Sequence, residues 1–304
     1  MSNILLKKFG VPPFSVLDTK QGYWQDRKRY WISQGIKSEI GRDAECLPTG
    51  FDETKYGKKQ SEGTSIFDPV LCEMCYNWFT PTVDSKILDP FAGGSVRGVV
   101  AGMLNYNYLG LELSEKQVTA NKQQKIDIIP NKKVDWITGD SNVSLDNIEN
   151  ESYDLIFSCP PYFNLEIYSD DPADLSNKDY NGFLNLYESI IKKSLQKLKP
   201  NRFAIFTVGD VRDKQGFYTN FVEDTVKLFE KHGAKKYNEI ILLKSLGTLP
   251  LRVSAQFPVM RKVGKAHENV LVFFKGDPQQ IKTEFNNIVM EEKGSADLFS
   301  FNEE

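Results

Sequence analysis

The sequence predicts a doubly wound α/β fold: a seven-stranded, mostly parallel sheet with helices on both faces and an antiparallel strand closing one edge. Three observations predict it. From Ser65 onward, short apolar runs alternate with helix-like segments, the pattern of βαβ units. A glycine-bearing turn follows the first of these runs and opens into a helical stretch, as at the ligand-binding edge of such sheets. The last two runs follow each other with no convincing helix between them, which favours an antiparallel closing pair.

The predicted strands are residues 86–90, 108–113, 134–138, 153–159, 202–208, 237–244 and 269–275. Each is short, rich in Ile, Leu, Val, Phe or Tyr, and bounded by turn residues. Helices are predicted over residues 70–79, 96–104, 114–126, 180–198 and 217–231, with Leu198-Lys199-Pro200-Asn201 as a helix stop. Residues 1–62 show little periodicity and form an N-terminal extension. Its cluster from Tyr23 to Trp31 mixes aromatic and basic residues, which suits either a helix covering the sheet or a nucleic-acid contact. Residues 63–276 are expected to form the α/β domain that carries the functional site, and 277–304 an acidic tail.

The chain has 304 residues, 40% hydrophobic and 26% charged, with net charge −3. A balance this close to neutral does not suit a protein that coats nucleic acid nonspecifically. The charge is uneven, however. Residues 1–60 hold eleven Lys/Arg and seven Asp/Glu; residues 244–275 hold six Lys/Arg against Glu268 alone; the tail holds seven acids and two lysines. The two basic segments are therefore able to face a polyanion, or simply to lie in solvent. No apolar run reaches the roughly 18 residues of a membrane span, and no apolar leader follows Lys7 and Lys8. The four cysteines are too sparse for a disulfide framework. Cys72 and Cys75 read as two positions of one helix rather than as a metal or redox pair. These features lead to the expectation of a cytoplasmic protein, monomer or homodimer.

Four motifs carry chemistry. Asp89-Pro90-Phe91-Ala92-Gly93-Gly94-Ser95 is a tight turn that a ligand can approach closely; it is neither the dinucleotide fingerprint nor a phosphate-gripping loop. Glu112, about 20 residues further on at a strand end, suits ribose hydroxyls. Asp140, with Ser141 beside it, follows the next strand and suits an adenine amino group. Ser158-Cys159-Pro160-Pro161-Tyr162 ends the fourth strand: the prolines fix φ and remove two N–H donors, leaving carbonyls to accept, and Tyr162 offers a flat face for a base.

Together these motifs resemble the amino-methyltransferases of DNA, the N6-adenine and N4-cytosine family, over about residues 65–276. The run 165–171 is similar to that of phage and prophage members, and Ala266 to Phe273 looks like the last strand common in the group. The resemblance implies a Rossmann-like class I methyltransferase using S-adenosyl-L-methionine, with DNA as partner and N6 of adenine as the favoured target. The cofactor residues would be Phe67, Asp68, Asp89, Pro90, Phe91, Gly93, Gly94, Ser95, Glu112, Asp140 and Ser141. The target site would be Ser158 to Tyr162. Tyr168, Arg252, Arg261, Lys262 and Lys265 would meet DNA from the loops 164–178 and 247–265.

One position departs from the pattern: Cys159 stands where the family has Asp, Asn or Ser. Sulfur is a weak acceptor, and the amine needs acceptors on its two N–H groups to free its lone pair. Ser158, the Cys159 sulfur, the Pro160 carbonyl, Asp170 and Asp171 are the candidates. A nucleophilic cysteine of the C5-cytosine type is disfavoured, because that residue follows a proline rather than preceding two. Cytosine N4 methylation, the same chemistry on RNA or protein, and an inactive cofactor- or DNA-binding module are the alternatives.

Overall fold

A computed structural model of the chain describes residues 2–37, 67–161 and 179–293. Eight strands form one sheet: β1 (Val16–Asp18), β2 (Lys86–Asp89), β3 (Asn107–Glu112), β4 (Val134–Thr138), β5 (Tyr153–Ser158), β6 (Leu198–Val208), β7 (Lys235–Leu243) and β8 (His267–Lys275). Their order across the sheet is β1-β7-β8-β6-β5-β2-β3-β4. Only β8 is antiparallel, to both β6 and β7. The seven expected strands are present, and β1 adds an eighth by pairing parallel with β7, Val16 opposite Ile241. A three-residue strand is too short to show alternation, so it leaves no periodic signal.

The helices are α1 (Ser2–Phe9), α2 (Gly22–Ser33), α3 (Pro69–Phe79), α4 (Val96–Met103), α5 (Glu115–Ile128), α6 (Ser141–Ser144), α7 (Tyr180–Lys197), α8 (Phe221–Lys231), α9 (Leu249–Met260) and α10 (Ile281–Glu284). One core joins a sheet face to α2, α3 and α4 through Trp24, Trp31, Val70, Tyr76 and Val99. The other joins the opposite face to α7 and α8 through Phe183, Tyr187, Phe221 and Phe229.

Two expectations are corrected. Helix α8 starts at Phe221, not Phe217, because Asp213 captures the N–H groups of Gly216 and Phe217 in a turn and Asn220 is left-handed at φ 60°. The segment 247–265, expected as loop, contains the three-turn helix α9.

The aromatic-basic cluster of the N-terminal segment forms α2, which packs on α3. Arg27 and Glu73, both buried, pair at 2.6 Å, and Trp31 Nε1 donates to the same carboxylate at 2.8 Å. Burial of two charges is tolerable only with such pairing. Asp68 caps α3 by accepting from Val70 N and also accepts from Trp24 Nε1 and Lys28 Nζ. Residues after α10 return to the N-terminus, where the buried Met290 donates its N–H to Lys8 O. Among the described residues, no helix is long and apolar enough to cross a membrane.

Candidate active site

The chain runs from β2 outward to β3 and β4, then crosses back to place β5 on the other side of β2. Strand order therefore reverses between β2 and β5. At such a switch point the loops leaving adjacent strands diverge and open a crevice at the carboxyl ends. The two turns that meet there are Asp89–Ser95 and Ser158–Pro161.

The first turn is held by its carbonyls. Ser141 Oγ donates to Pro90 O at 2.6 Å, Arg97 Nη2 to Phe91 O and Ala92 O at 2.6 and 2.8 Å, and Asn121 Nδ2 to Gly93 O at 2.8 Å. Gly93 is left-handed at φ 51°, which only glycine adopts without strain. Gly110 on β3 must also lack a side chain, since a Cβ there would lie 2.7 Å from that of Ala92.

Asp89 is fully buried at the base of this turn and serves as its hub. It accepts from Arg97 Nε at 2.5 Å, Tyr108 Oη at 2.7 Å, Ser158 Oγ at 2.6 Å and Phe91 N at 3.2 Å. Burial pushes the Tyr108 hydroxyl well up, and the Asp89 carboxylate beside it pushes the same way. Phe91 N donates to Ser158 Oγ as well, at 3.1 Å. Ser158 thus donates to Asp89 and accepts from Phe91 N, and it is wholly buried. Ser158 is one of several candidate acceptors for the target amine, and in the structure its hydroxyl ties the two turns together. Arg97, the charged member of this network, is absent from the residues the sequence points to; its one signal there is a lone arginine in an otherwise apolar helix.

Glu112 closes the next strand. Its Oε2 accepts from Gly93 N at 2.8 Å and its Oε1 from Ser114 N at 2.9 Å. Asp140 follows β4 and caps α6 through Oδ1. Ser95 Oγ is buried without a partner among the described residues. Phe67 lies at the start of α3, its ring 4.6 Å from the Arg97 guanidinium and edge-on to Phe157. Two carboxylates at neighbouring strand ends, a glycine turn and an orphaned hydroxyl suit a nucleoside with donating ribose hydroxyls and a donating amino group. They fit S-adenosylmethionine.

On the target side, Cys159 is half-buried. Burial pushes its thiol up to about 12, against the opposing pull of Arg97, so it is neutral at physiological pH and a poor nucleophile. Pro160 is buried and Pro161 half-buried. Ser158 pairs with Phe206 on β6, which brings Thr207 beside Cys159. Thr207 Oγ1 is buried and lacks a partner among the described residues. Tyr162, Tyr168, Asp170 and Asp171 lie outside the described residues.

A cleft of about 380 Å³ opens further along the same edge, lined by Gly209, Asp210, Lys244, Arg252, Lys265 and Glu268. Lys244 and Glu268 pair there and lie close enough to Cys159 to act on its thiol with opposite signs. Arg252 is on α9; Arg261 is its left-handed cap, its guanidinium 5.7 Å from the Phe257 ring. Lys265 faces Asp210 at 3.9 Å. Among the described residues, no cluster of His, Cys, Asp and Glu is arranged to hold a metal.

Solved structures similar to the chain include TrmN from Thermus thermophilus, at 15% identity and TM-score 0.46, covering 69% of this chain and 49% of that one. A candidate DNA modification methylase from the same organism is similar at 20% identity and TM-score 0.35, covering 47% and 56%. Precorrin-6y C5,15-methyltransferase from Geobacter metallireducens is similar at 14% identity and TM-score 0.43, covering 78% and 97%. The chain thus spans about half the length of the first two. No curated protein sequence matches it. Residues 153–298, which begin at β5 and carry the Ser158-Cys159-Pro160-Pro161 turn into the crevice, match the model of a DNA methylase family, N6_N4_Mtase, and over that stretch the chain is similar to that family.

Proposed function

We propose that the chain transfers a methyl group from S-adenosylmethionine to the exocyclic amino group of a DNA base, N6 of adenine. The observation that carries this is the Phe91–Ser158–Asp89 link. It makes the turn suited to the methyl donor and the turn suited to the base one rigid unit.

Bound S-adenosylmethionine supplies a methyl group on a sulfonium, an activated leaving group. The chain's part is to orient and to accept. Glu112 would receive the ribose hydroxyls and Asp140 the adenine amino group, with Gly93, Gly94 and Ser95 allowing close approach and Phe67 and Asp68 on the side of the methionine end. Orientation of this kind contributes up to roughly 7–11 kcal/mol in well-aligned cases. A base in duplex DNA must leave the stack to reach the crevice, and Tyr162 is the ring on which it rests. With Ser158 engaged elsewhere, the acceptors for the amine are the Pro160 carbonyl and the weakly accepting Cys159 sulfur. Thr207, one residue past the partner of Ser158 on β6, is a further candidate, its buried hydroxyl without a partner among the described residues. They draw the nitrogen toward tetrahedral geometry. The bound donor would supply the methyl group to the nitrogen's lone pair and leave as the neutral thioether S-adenosylhomocysteine, and the amine's proton would pass to water.

The deciding experiment is methyl transfer from labelled S-adenosylmethionine to DNA, followed by nucleoside mass spectrometry. N6-methyldeoxyadenosine is expected. N4-methyldeoxycytidine would move the target to cytosine. No transfer to DNA, alongside transfer to RNA or protein, would overturn the assignment of substrate.

A further inference from the structure

Helix α9 is apolar, yet none of its residues is buried: Leu251, Val259 and Met260 are 64%, 77% and 57% exposed. A helix that is apolar on its outer surface is ordinarily covered. It is not a loose excursion. Gly264 returns so close beneath it that a Cβ there would come within 2.5 Å of Val253 and 2.9 Å of Leu249.

A second loop, 209–220 between β6 and α8, stands beside it. Arg212 and Tyr218 form an antiparallel bridge, the guanidinium 4.0 Å from the ring centroid. Asp213 Oδ1 accepts from Gly216 N and Phe217 N at 2.7 and 2.8 Å, which leaves the Phe217 side chain 74% exposed. The two loops touch, since Lys262 Nζ would lie 2.7 Å from a Cβ at Gly216. The surface is therefore continuous.

Its charge is one-sided. Residues 245–266 contain four Lys/Arg and no Asp or Glu. The two acids of the 209–220 loop turn inward, Asp213 as above and Asp210 onto Val222 N and toward Lys265. Cations rimming exposed aromatic and aliphatic side chains complement a duplex. Phosphates take the cations, and sugars or an opened base step take the apolar groups.

We infer that loop 209–220 and helix α9 form one docking surface for duplex DNA, in which Arg252 and Lys262 meet phosphates and Phe217 and Phe257 meet sugars or an opened base step. This deepens the proposed function and rests on it.

The test is binding of the full chain to a fluorescein-labelled mixed-sequence duplex by fluorescence anisotropy across a salt series, without cofactor. Arg252→Gln/Lys262→Gln should weaken binding about tenfold or more at low salt and lower the slope of log affinity against log salt by about 2. Phe217→Ala/Phe257→Ala should weaken binding and leave the slope unchanged. Lys122→Gln/Lys133→Gln, at the far edge of the sheet, should bind as wild type. The surface is overturned if both loop variants bind as wild type, if the far-edge variant loses as much, or if wild type binds no duplex. It is also overturned if the aromatic variant only converts a dimer to a monomer in sedimentation. Methyl transfer measured on the same wild-type preparation separates the two ideas. Transfer to DNA with unchanged binding by the loop variants sinks the surface alone. Binding lost as expected, with no transfer by wild type, sinks the function and leaves the surface standing.

Discussion

Asp89 takes four hydrogen bonds in a fully buried position, two of them from side chains on neighbouring elements and one from β5. Removing any donor leaves a charge less compensated. Ser158→Ala deletes a bond to a charged group, and a loss of about 2 kcal/mol in urea unfolding is expected, with weakened cofactor binding as the turns part. Arg97→Met strands the carboxylate and should cost about 3–5 kcal/mol. Thr207→Val removes a buried hydroxyl with no partner among the described residues, so thermal stability should hold or rise. If Thr207 accepts from the amine, turnover should fall while cofactor affinity stays the same; unchanged turnover would remove it from the site. Cys159→Ser should keep or raise activity, since a hydroxyl accepts better than a thiol, and complete loss would point to a thiol-specific role. At this scale the sequence is partly legible. The strand-end positions of Glu112 and Asp140 are legible from the spacing of the apolar runs. The partners of Ser158 are not legible, because Asp89 and Phe91 lie far from it in sequence and meet it only in the fold.

Elements with period are readable and those without are not. Strand ends from β2 to β8 fall within a few residues of expectation, because each run is apolar and bounded by turns. Helix α9 escapes a reading of the sequence for a physical reason: it buries no face, so no amphipathic stripe distinguishes it from a loop. The cluster Tyr23–Trp31 gives no clear period because its cation Arg27 is buried beside its indoles, a pattern that pairing with Glu73 explains only once the fold is known. The start of α3 carries an element-scale prediction. Asp68→Ala removes the cap and two further acceptor contacts from α2, and a loss of about 1–2 kcal/mol in chemical denaturation is expected.

Across the whole molecule, burial governs the response to alkali. Cys72, Cys75, Tyr76, Tyr108 and Tyr187 are buried, and desolvation raises all five above their ordinary values of 9.0 and 10.0. Groups raised in the folded state hold their protons where the unfolded chain has released them. Stability from this source is complete below about pH 9 and falls as pH rises above it. Melting temperature followed by near-ultraviolet circular dichroism should be flat toward neutral pH and drop steadily above pH 9; a flat profile into strong alkali would contradict the burial. The low net charge also belongs to this scale. The acidic tail offsets two basic segments in the total, so composition alone conceals the cationic edge around α9.

Strand β1 carries a consequence for how the chain is made. Val16–Asp18 is synthesised long before its hydrogen-bonding partner, 241–243. The outer edge of the sheet is therefore sealed late, and until then both β1 and the nascent β7 edge offer unpaired backbone groups to other chains. Ribosome-bound chains stalled before residue 241 should capture strand-binding chaperones more readily than chains stalled after β8 has emerged.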